Sequence, residues 1–191
     1  MENSTLTATH PAETATPAER DHAARYLAVT RDRLLEAVKG LSDAQWNFRP
    51  RPGHWSIAET VEHLAIIEER IKQIINGLPQ AAADSPERDA KQMDATIVAV
   101  IPIRYPRITA PPVVSPASAT SGPEALERFR ASRARTIEMV ASATHLRGRV
   151  TLHPIFGPWD GYQWLLGSGA HCVRHTAQIL EMREDPNFPA A

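Results

Sequence analysis

The sequence predicts an all-α protein, a four-helix bundle with a long crossover between helices 2 and 3. Four stretches of the chain place apolar residues at helical spacing, between N-capping residues and a terminating glycine or proline. No stretch shows the strand-like alternation of apolar and polar residues. The segment 80–121 is rich in proline, and a connection of that length allows the helices on either side to run parallel instead of forming a hairpin.

Helices 1 and 2 are predicted over about 17–39 and 56–76. Thr16 followed by proline is typical of an N-cap with proline at the first helical position. Ser56 and Glu59 form a capping box of the S-x-x-E type at the start of helix 2. The apolar face of that helix consists of Ile57, Val61, Leu64, Ile67, Ile71, Ile74 and Leu78.

Helices 3 and 4 are predicted over about 122–143 and 160–183, with Ser121 and Asp160 as their N-caps. The segment between them is predicted to be a loop. A short helix is also predicted inside the crossover, at about 87–99. Four arginines of helix 3 spread around the helix among glutamates, which indicates solvated surface; they are Arg128, Arg130, Arg133 and Arg135.

The crossover is long for a compact domain, and a loop of this length usually crosses the fold or covers a site. Residues 1–15 are rich in threonine, alanine and proline and have almost nothing to bury, so we expect a disordered tail. Residues 16–191 are enough for a single domain.

Composition excludes several classes of protein. The net charge of −1 provides no basic field for nucleic acid. No apolar run approaches the roughly 20 residues that span a bilayer, and the N-terminus resembles no secretory signal, so we expect a cytoplasmic protein. The single cysteine, Cys172, excludes an intramolecular disulfide and zinc sites that need two or more thiolates.

The stretch HCVRHTAQI in helix 4 contains a candidate metal site. His171 and His175 are four residues apart, so on a helix they stand one above the other. They share a narrow stripe with Gln178, between Trp164 and Met182, whose large apolar side chains should face the core. Buried polar groups need partners, and a metal ion would be one. The same spacing also arises by chance in a chain with 8 histidines, and core histidines are often hydrogen-bonded structural residues.

His63 is a candidate third ligand. It lies in the middle of helix 2, at the edge of the apolar face beside Ile67 and Ile74, and can reach the bundle interior from there. Three neutral imidazoles from two helices would form a facial set of ligands. The remaining coordination positions would stay open for water or substrate, as they do in catalytic metal sites.

Other polar residues near these positions have two interpretations each. Glu59 could orient a ligand or act as a base, or it could serve only as the capping-box carboxylate. Gln178 could support a metal ligand or close a hydrogen bond between helices. Cys172 points about 100° away from His171 and is interpreted as a packing residue. Loop side chains that could line the site, or else be solvated or packed in the core, are His54, Trp55, His153, Phe156 and Trp159.

The segments HWSIAETVEHL, APPVVSP, LHPIFGP and HCVRHTAQI, in this order and spacing, resemble the DinB/YfiT-like superfamily of metal-dependent enzymes. The resemblance covers about residues 20–189. It implies a four-helix bundle that binds a metal ion, usually zinc or nickel, through three histidines, which match His63, His171 and His175. It also implies a homodimer.

The activity implied by the resemblance depends on the nucleophile that the metal activates. A low-molecular-weight thiol such as bacillithiol or mycothiol would make the protein a thiol-dependent S-transferase, and water would make it a metal-dependent hydrolase. The same ligands serve both reactions on a small-molecule substrate, so the sequence does not choose between them. A non-catalytic metal- or ligand-binding stress protein is a further alternative. Near-neutral charge argues against a role in DNA repair.

Overall fold

A computed structural model of the chain describes residues 14–105, 109–116 and 120–190. The helices in these ranges are α1 (Pro17–Ala37), α2 (Asp43–Trp46), α3 (Ile57–Gly77), α4 (Ala90–Val100), α5 (Gly122–Ser142) and α6 (Gly161–Arg183). The predicted helices 1 to 4 correspond to α1, α3, α5 and α6. The short helix predicted in the crossover is α4, and α2 has no counterpart among the predicted helices.

Side-chain caps begin the long helices where the sequence predicts them. Ser56 and Glu59 form the capping box of α3. Thr16, Ser121 and Asp160 cap α1, α5 and α6, and each accepts a hydrogen bond from the backbone N–H three residues later. Because these contacts lie within a few residues of one another, the helix starts could be predicted from sequence alone.

The two helices joined by the long crossover, α3 and α5, run parallel, as predicted. Glu62 pairs with Arg128 near the start of both helices, at 3.3 Å. Glu68 pairs with Arg133 further along both helices, at 2.8 Å. Pairs that advance together along two helices require the helices to point the same way.

α6 runs antiparallel to α3. His63, in the first half of α3, lies beside His171 in α6, whereas Glu68, later in α3, bonds Ser168, earlier in α6. α1 packs against both α6 and α5 and closes the bundle. The middle of α6 is therefore enclosed by other helices, which is where the sequence predicts its polar stripe to lie.

A small antiparallel sheet leads into α6. Its strands are β1 (Ala82–Ala83), β2 (Arg149–His153) and β3 (Gly157–Asp160), in the order β1-β2-β3. The prediction of a strand-free loop between helices 3 and 4 is therefore wrong. β2 keeps no buried face, and Leu152 is 79% exposed, so the strand lacks the alternation that would reveal it.

Arg133 of α5 is completely buried, so the prediction of solvated surface is wrong for this residue. Its guanidinium donates to the Glu68 carboxylate at 2.8 Å and to the Ser168 hydroxyl at 3.1 Å. It also donates to the carbonyl of Leu27 and the hydroxyl of Thr30, each at 3.0 Å. One side chain thus bonds all three of the other long helices.

The predicted tail of residues 1–15 falls mainly on residues 1–13, which lie outside the described residues. Ala15, the last residue of the predicted tail, is buried among core residues, so the packed part of the chain begins before residue 16. Within the described ranges, no helix combines the length and the apolar character that crossing a membrane requires.

Candidate metal centre

α3 and α6 bring three histidine side chains together inside the bundle. His63 is 3% exposed, His175 is 7% exposed, and His171 is partly exposed. The Nε2 atom of His171 lies 3.1 Å from Nε2 of His175 and 3.4 Å from Nε2 of His63. Ligand nitrogens of all three residues lie within 4.8 Å of one another. We call this group the histidine cluster.

The position of the cluster follows from the stripe on α6. Trp164 and Met182, at the two ends of that stripe, are both buried in the core. Since residues four apart stand one above the other, His171 and His175 between them face the interior as well. His63 lies at the edge of the apolar face of α3, and its ring is 5.0 Å from each of the other two imidazoles.

Hydrogen bonds determine which nitrogen carries the proton in two of the rings. Nδ1 of His63 lies 2.7 Å from the carbonyl oxygen of Val114 in the crossover. A carbonyl can only accept, so Nδ1 is the donor and Nε2 keeps its lone pair. Nδ1 of His175 lies 2.9 Å from Oε1 of Gln178, with the same consequence. Both Nε2 lone pairs then face His171.

His171 cannot satisfy both of these lone pairs with a proton. A single N–H at its Nε2 could donate to one neighbour only, and the other lone pair would still lack a donor. Its Nδ1 atom is also buried without a hydrogen-bond partner among the described residues. A cation between the three Nε2 atoms would accept all three lone pairs at once.

The spacing of the three nitrogens fits such an ion. Zinc–nitrogen bonds of about 2.0–2.1 Å in tetrahedral geometry place two ligand nitrogens about 3.3 Å apart. The observed separations from His171, 3.1 and 3.4 Å, lie on either side of that value. The donor set and its size therefore suit a divalent metal ion.

Burial keeps the imidazoles neutral. Burial, and then the charge of His63, lower the pKa of His175 to about 3. Burial and the two neighbouring histidines lower the pKa of His171 well below its ordinary value. Burial also lowers the pKa of His63, although its hydrogen bond to Val114 opposes this shift. Neutral imidazole is the form that binds a metal, so the cluster is ready for one at neutral pH.

A protein-family model described as the DinB superfamily matches residues 26–179. The chain belongs to the DinB superfamily. The predicted resemblance to this family is thereby confirmed.

Three known proteins resemble this DinB chain, one in sequence and two in fold. It is 29% identical to the uncharacterized protein YuaE of Bacillus subtilis (strain 168) over 149 residues, which cover 77% of this chain and 88% of YuaE. Its fold is similar to that of YfiT from Bacillus subtilis, with a TM-score of 0.58 and 17% identity over 94% of both chains. YfiT is described as a probable metal-dependent hydrolase with an unusual four-helix bundle topology. The four-helix bundle protein TT2238 matches with a TM-score of 0.50 and 19% identity, over 85% of this chain and 95% of TT2238.

One of the loop aromatics lies beside the histidine cluster of this DinB domain. The ring of Trp55 is 4.8 Å from that of His63 and 6.4 Å from that of His175, measured between centroids. It is half-buried and forms a wall of the histidine cluster. Trp159 instead is buried, and the His153 ring stacks on it at 4.1 Å. Burial lowers the pKa of His153 to about 4.

The contacts of two other candidate residues, Glu59 and Cys172, favour structural roles. The Glu59 carboxylate accepts a hydrogen bond from the backbone N–H of Ser56 at 2.8 Å, as the capping-box interpretation predicts, and it also pairs with Arg49 at 2.8 Å. Cys172 is buried, its thiol donates to the carbonyl of Thr30 at 3.4 Å, and burial raises its pKa. A buried thiol with a raised pKa is a poor nucleophile, which agrees with a packing role.

The crossover supplies parts of the centre that the sequence does not identify. Its carbonyl at Val114 contacts His63, and its Arg104 donates to Gln178 at 3.0 Å. The prediction that the crossover covers a site agrees with these contacts. The segment APPVVSP contains Val114 but does not show that its carbonyl bonds a histidine, because any residue type provides a carbonyl. Arg104 lies 74 positions before Gln178, and no sequence pattern connects the two.

Proposed function

We propose that the protein is a metal-dependent enzyme, in which His63, His171 and His175 hold a divalent ion, zinc or nickel, that activates a nucleophile for reaction with a small-molecule substrate. The Nε2 atoms of His175 and His63 lie 3.1 and 3.4 Å from Nε2 of His171, with the lone pairs of both directed toward it, and this convergence is the observation that carries the proposal. A hydrogen-bonded structural role would leave one of those lone pairs without a donor.

The absence of a carboxylate among the groups that bond the ligands, in the part of the chain that the structure describes, supports a catalytic role for the ion. Within the described ranges, the group suited to a metal contains histidines only. The partners behind the ligands, the Val114 carbonyl and the Gln178 amide, are also neutral. A carboxylate in either place would make the imidazole a stronger electron donor. With neutral partners, the ion would keep more of its positive charge for a substrate or nucleophile.

Open coordination positions support the same role. Three protein ligands are typical of catalytic metal sites, which keep a position for an outside molecule. Partial exposure of His171 and the half-buried ring of Trp55 leave an approach to the cluster. A divalent ion there supplies Lewis acidity, which lowers the pKa of a thiol or water molecule that it binds. Val114 and Gln178 hold the protons on Nδ1 of His63 and His175, so these rings serve as ligands and not as bases.

Two reactions are compatible with the site. In S-transfer, proposed first because of the family resemblance, the sulfur of a low-molecular-weight thiol would bond to an electrophilic carbon as a leaving group departs, and the thiol proton would pass to solvent. In hydrolysis, water would add across the cleaved bond. The description of YfiT as a probable metal-dependent hydrolase supports the second reaction.

Metal content tests the first step of the proposal. We expect purified protein to hold about one zinc or nickel ion per chain, measured by elemental analysis, and His171→Ala and His63→Ala to hold only traces. His22→Ala is the matched control, since His22 is an exposed histidine that bonds Tyr162 away from the cluster. Equal metal content in wild type and His171→Ala would overturn the proposal.

Turnover tests the second step. Metal-loaded protein is assayed for conjugation of thiols to electrophiles and for hydrolysis of esters and amides, each with and without chelator. Chelator-sensitive conjugation identifies an S-transferase, and chelator-sensitive hydrolysis without added thiol identifies a hydrolase. Stoichiometric metal with no turnover in either panel would favour a metal-binding protein without catalysis.

A further inference from the structure

Arg104 connects the crossover to the back of the histidine cluster. Its Nε and Nη2 atoms donate to the two carboxylate oxygens of Glu181, at 3.0 and 2.9 Å. Its Nη1 atom donates to Oε1 of Gln178 at 3.0 Å. The Arg104 side chain is 16% exposed and that of Glu181 is 44% exposed, so the bonds to Glu181 lie at the surface and the bond to Gln178 lies on the inner side. Arg104 itself makes no contact with a cluster imidazole among these bonds.

The guanidinium determines which end of the Gln178 amide faces His175. An arginine has only donors, so the amide atom within 3.0 Å of Nη1 must be the oxygen. The same oxygen lies 2.9 Å from Nδ1 of His175 and can only accept there. The proton of His175 must then lie on Nδ1, and the lone pair of Nε2 must face the cluster.

His63 needs no such device. Its partner is the carbonyl of Val114, which can only accept, so the proton position on His63 follows from the backbone alone. An amide side chain is ambiguous, because a half-turn exchanges its acceptor for a donor. A donating amide would place the proton of His175 on Nε2, where it would block the lone pair. The proton position on His175 therefore depends on an additional contact that fixes the orientation of the Gln178 amide.

We propose that Arg104 is a positioning residue of the metal centre: by holding the Gln178 oxygen toward His175, it keeps His175 in the tautomer that can bind a metal. The inference rests on the proposed metal site. The contacts of Arg104 are themselves supported from α6, since Arg174 donates to the carbonyls of Arg104 at 3.2 Å and Ile101 at 3.4 Å. The constraint thus passes from the crossover through Gln178 to one ligand.

The experiment compares Arg104→Met with Arg183→Met. Methionine keeps the apolar stem and removes every donor. Arg183 is the matched control, because it is an arginine of α6 whose guanidinium bonds the carbonyl of Ala37, away from the cluster. Side-chain nitrogen NMR of the metal-free proteins reports which nitrogen of His175 is protonated, and competition with a chelator reports zinc affinity.

We expect wild type and Arg183→Met to show the Nδ1–H form of His175. Arg104→Met should show a substantial Nε2–H population and roughly tenfold weaker zinc binding, as is typical when a partner of a metal-ligating histidine is disturbed. In a Gln178→Leu background, Arg104→Met should cause no further loss, because the interaction that it acts through is already absent. Arg104→Lys should also weaken zinc binding, since a single ammonium does not reproduce the planar fork in which three nitrogens bond Glu181 and Gln178.

The outcomes separate this inference from the proposed function. If wild type binds no zinc, the metal site itself fails. If wild type binds zinc and Arg104→Met leaves both the tautomer and the affinity unchanged, only the role of Arg104 is overturned. The role of Arg104 is also overturned if Arg104→Met lowers zinc affinity by the same factor in Gln178→Leu as in wild type, because Arg104 would then act without Gln178. Arg104→Lys provides the same comparison if the methionine variant does not fold.

Discussion

The Nδ1 atom of His63 lies 2.7 Å from the carbonyl oxygen of Val114, which joins a candidate ligand on α3 to the crossover between α3 and α5. The crossover also reaches the second helix of the cluster, since Arg104 bonds Gln178 on α6. A segment that holds both sides of the centre is coupled to it energetically. Whatever favours the ligand geometry also favours the docked crossover.

Zinc binding should therefore protect the crossover. We expect amide hydrogen exchange in peptides from residues 109–116 to slow on addition of zinc, because a bound ion favours the His63 tautomer that donates to Val114. The measurement is exchange mass spectrometry with and without zinc. His63→Ala should abolish the effect. Peptides from α2, which contains no residue of the histidine cluster, provide the internal control. Equal slowing in His63→Ala would contradict the coupling.

The buried pair of Glu68 and Arg133 should contribute more to stability than an ion pair at the surface. Glu68→Ala leaves a buried guanidinium without its counter-charge, which costs about 3–5 kcal/mol. Glu36→Ala is the control, since this carboxylate pairs with Lys39 where the two side chains are 75% and 74% exposed, and such surface pairs are worth about 0–1 kcal/mol. Urea denaturation measures both. Similar losses of unfolding free energy in the two variants would show that burial does not determine how much an ion pair stabilises this protein.

Gly167 of α6 should not tolerate a side chain. A methyl group there would lie 2.6 Å from Cζ3 of Trp159, which is 1% exposed and has little room to move. We expect Gly167→Ala to lower the free energy of unfolding by about 1–3 kcal/mol. Gly77→Ala meets nothing within 4 Å and has helical backbone angles, so it should be neutral or stabilising by about 0.5 kcal/mol. Thermal denaturation distinguishes the two, and equal melting temperatures would argue against close packing at Gly167.

Acid should destabilise the metal-free protein. The pKa of His175 is about 3 in the fold and has an ordinary value of 6.5, so between these values the unfolded chain binds a proton that the folded chain does not. His171 and His63 shift in the same direction. Stability present above about pH 6.5 is then lost as pH falls. Urea denaturation at pH 7 and pH 5 should show the loss, and His175→Gln should reduce it. An unchanged pH dependence in that variant would exclude His175 as a source.

Local sequence features predicted the helices well. The starts of α3 and α6 depend on Ser56 and Asp160, whose side chains bond backbone groups three residues away. Caps and helical periodicity involve neighbours in sequence, so they can be recognised without knowing the fold. The strand β2 could not be recognised in this way, because it pairs with other segments but buries no face of its own.

The same limit explains the error at Arg133. Position on a helical wheel shows which residues share a face, but it does not show how many neighbours enclose the helix. α5 is surrounded on that side by α1, α3 and α6, and their carbonyl, hydroxyl and carboxylate groups provide the hydrogen bonds that make a buried guanidinium tolerable. Burial of a charge depends on partners from distant parts of the chain.

The sequence by itself determined the helical class, the parallel pair across the long crossover, and the three histidines of the candidate site. These follow from spacing within helices and from the family resemblance. Only the tertiary structure decided which nitrogen of His63 and His175 faces the centre, because Val114 and Arg104 come from a crossover with no regular pattern. Hydrogen bonds between segments distant in sequence depend on how the helices pack, and that packing is what turns three histidines into one donor set.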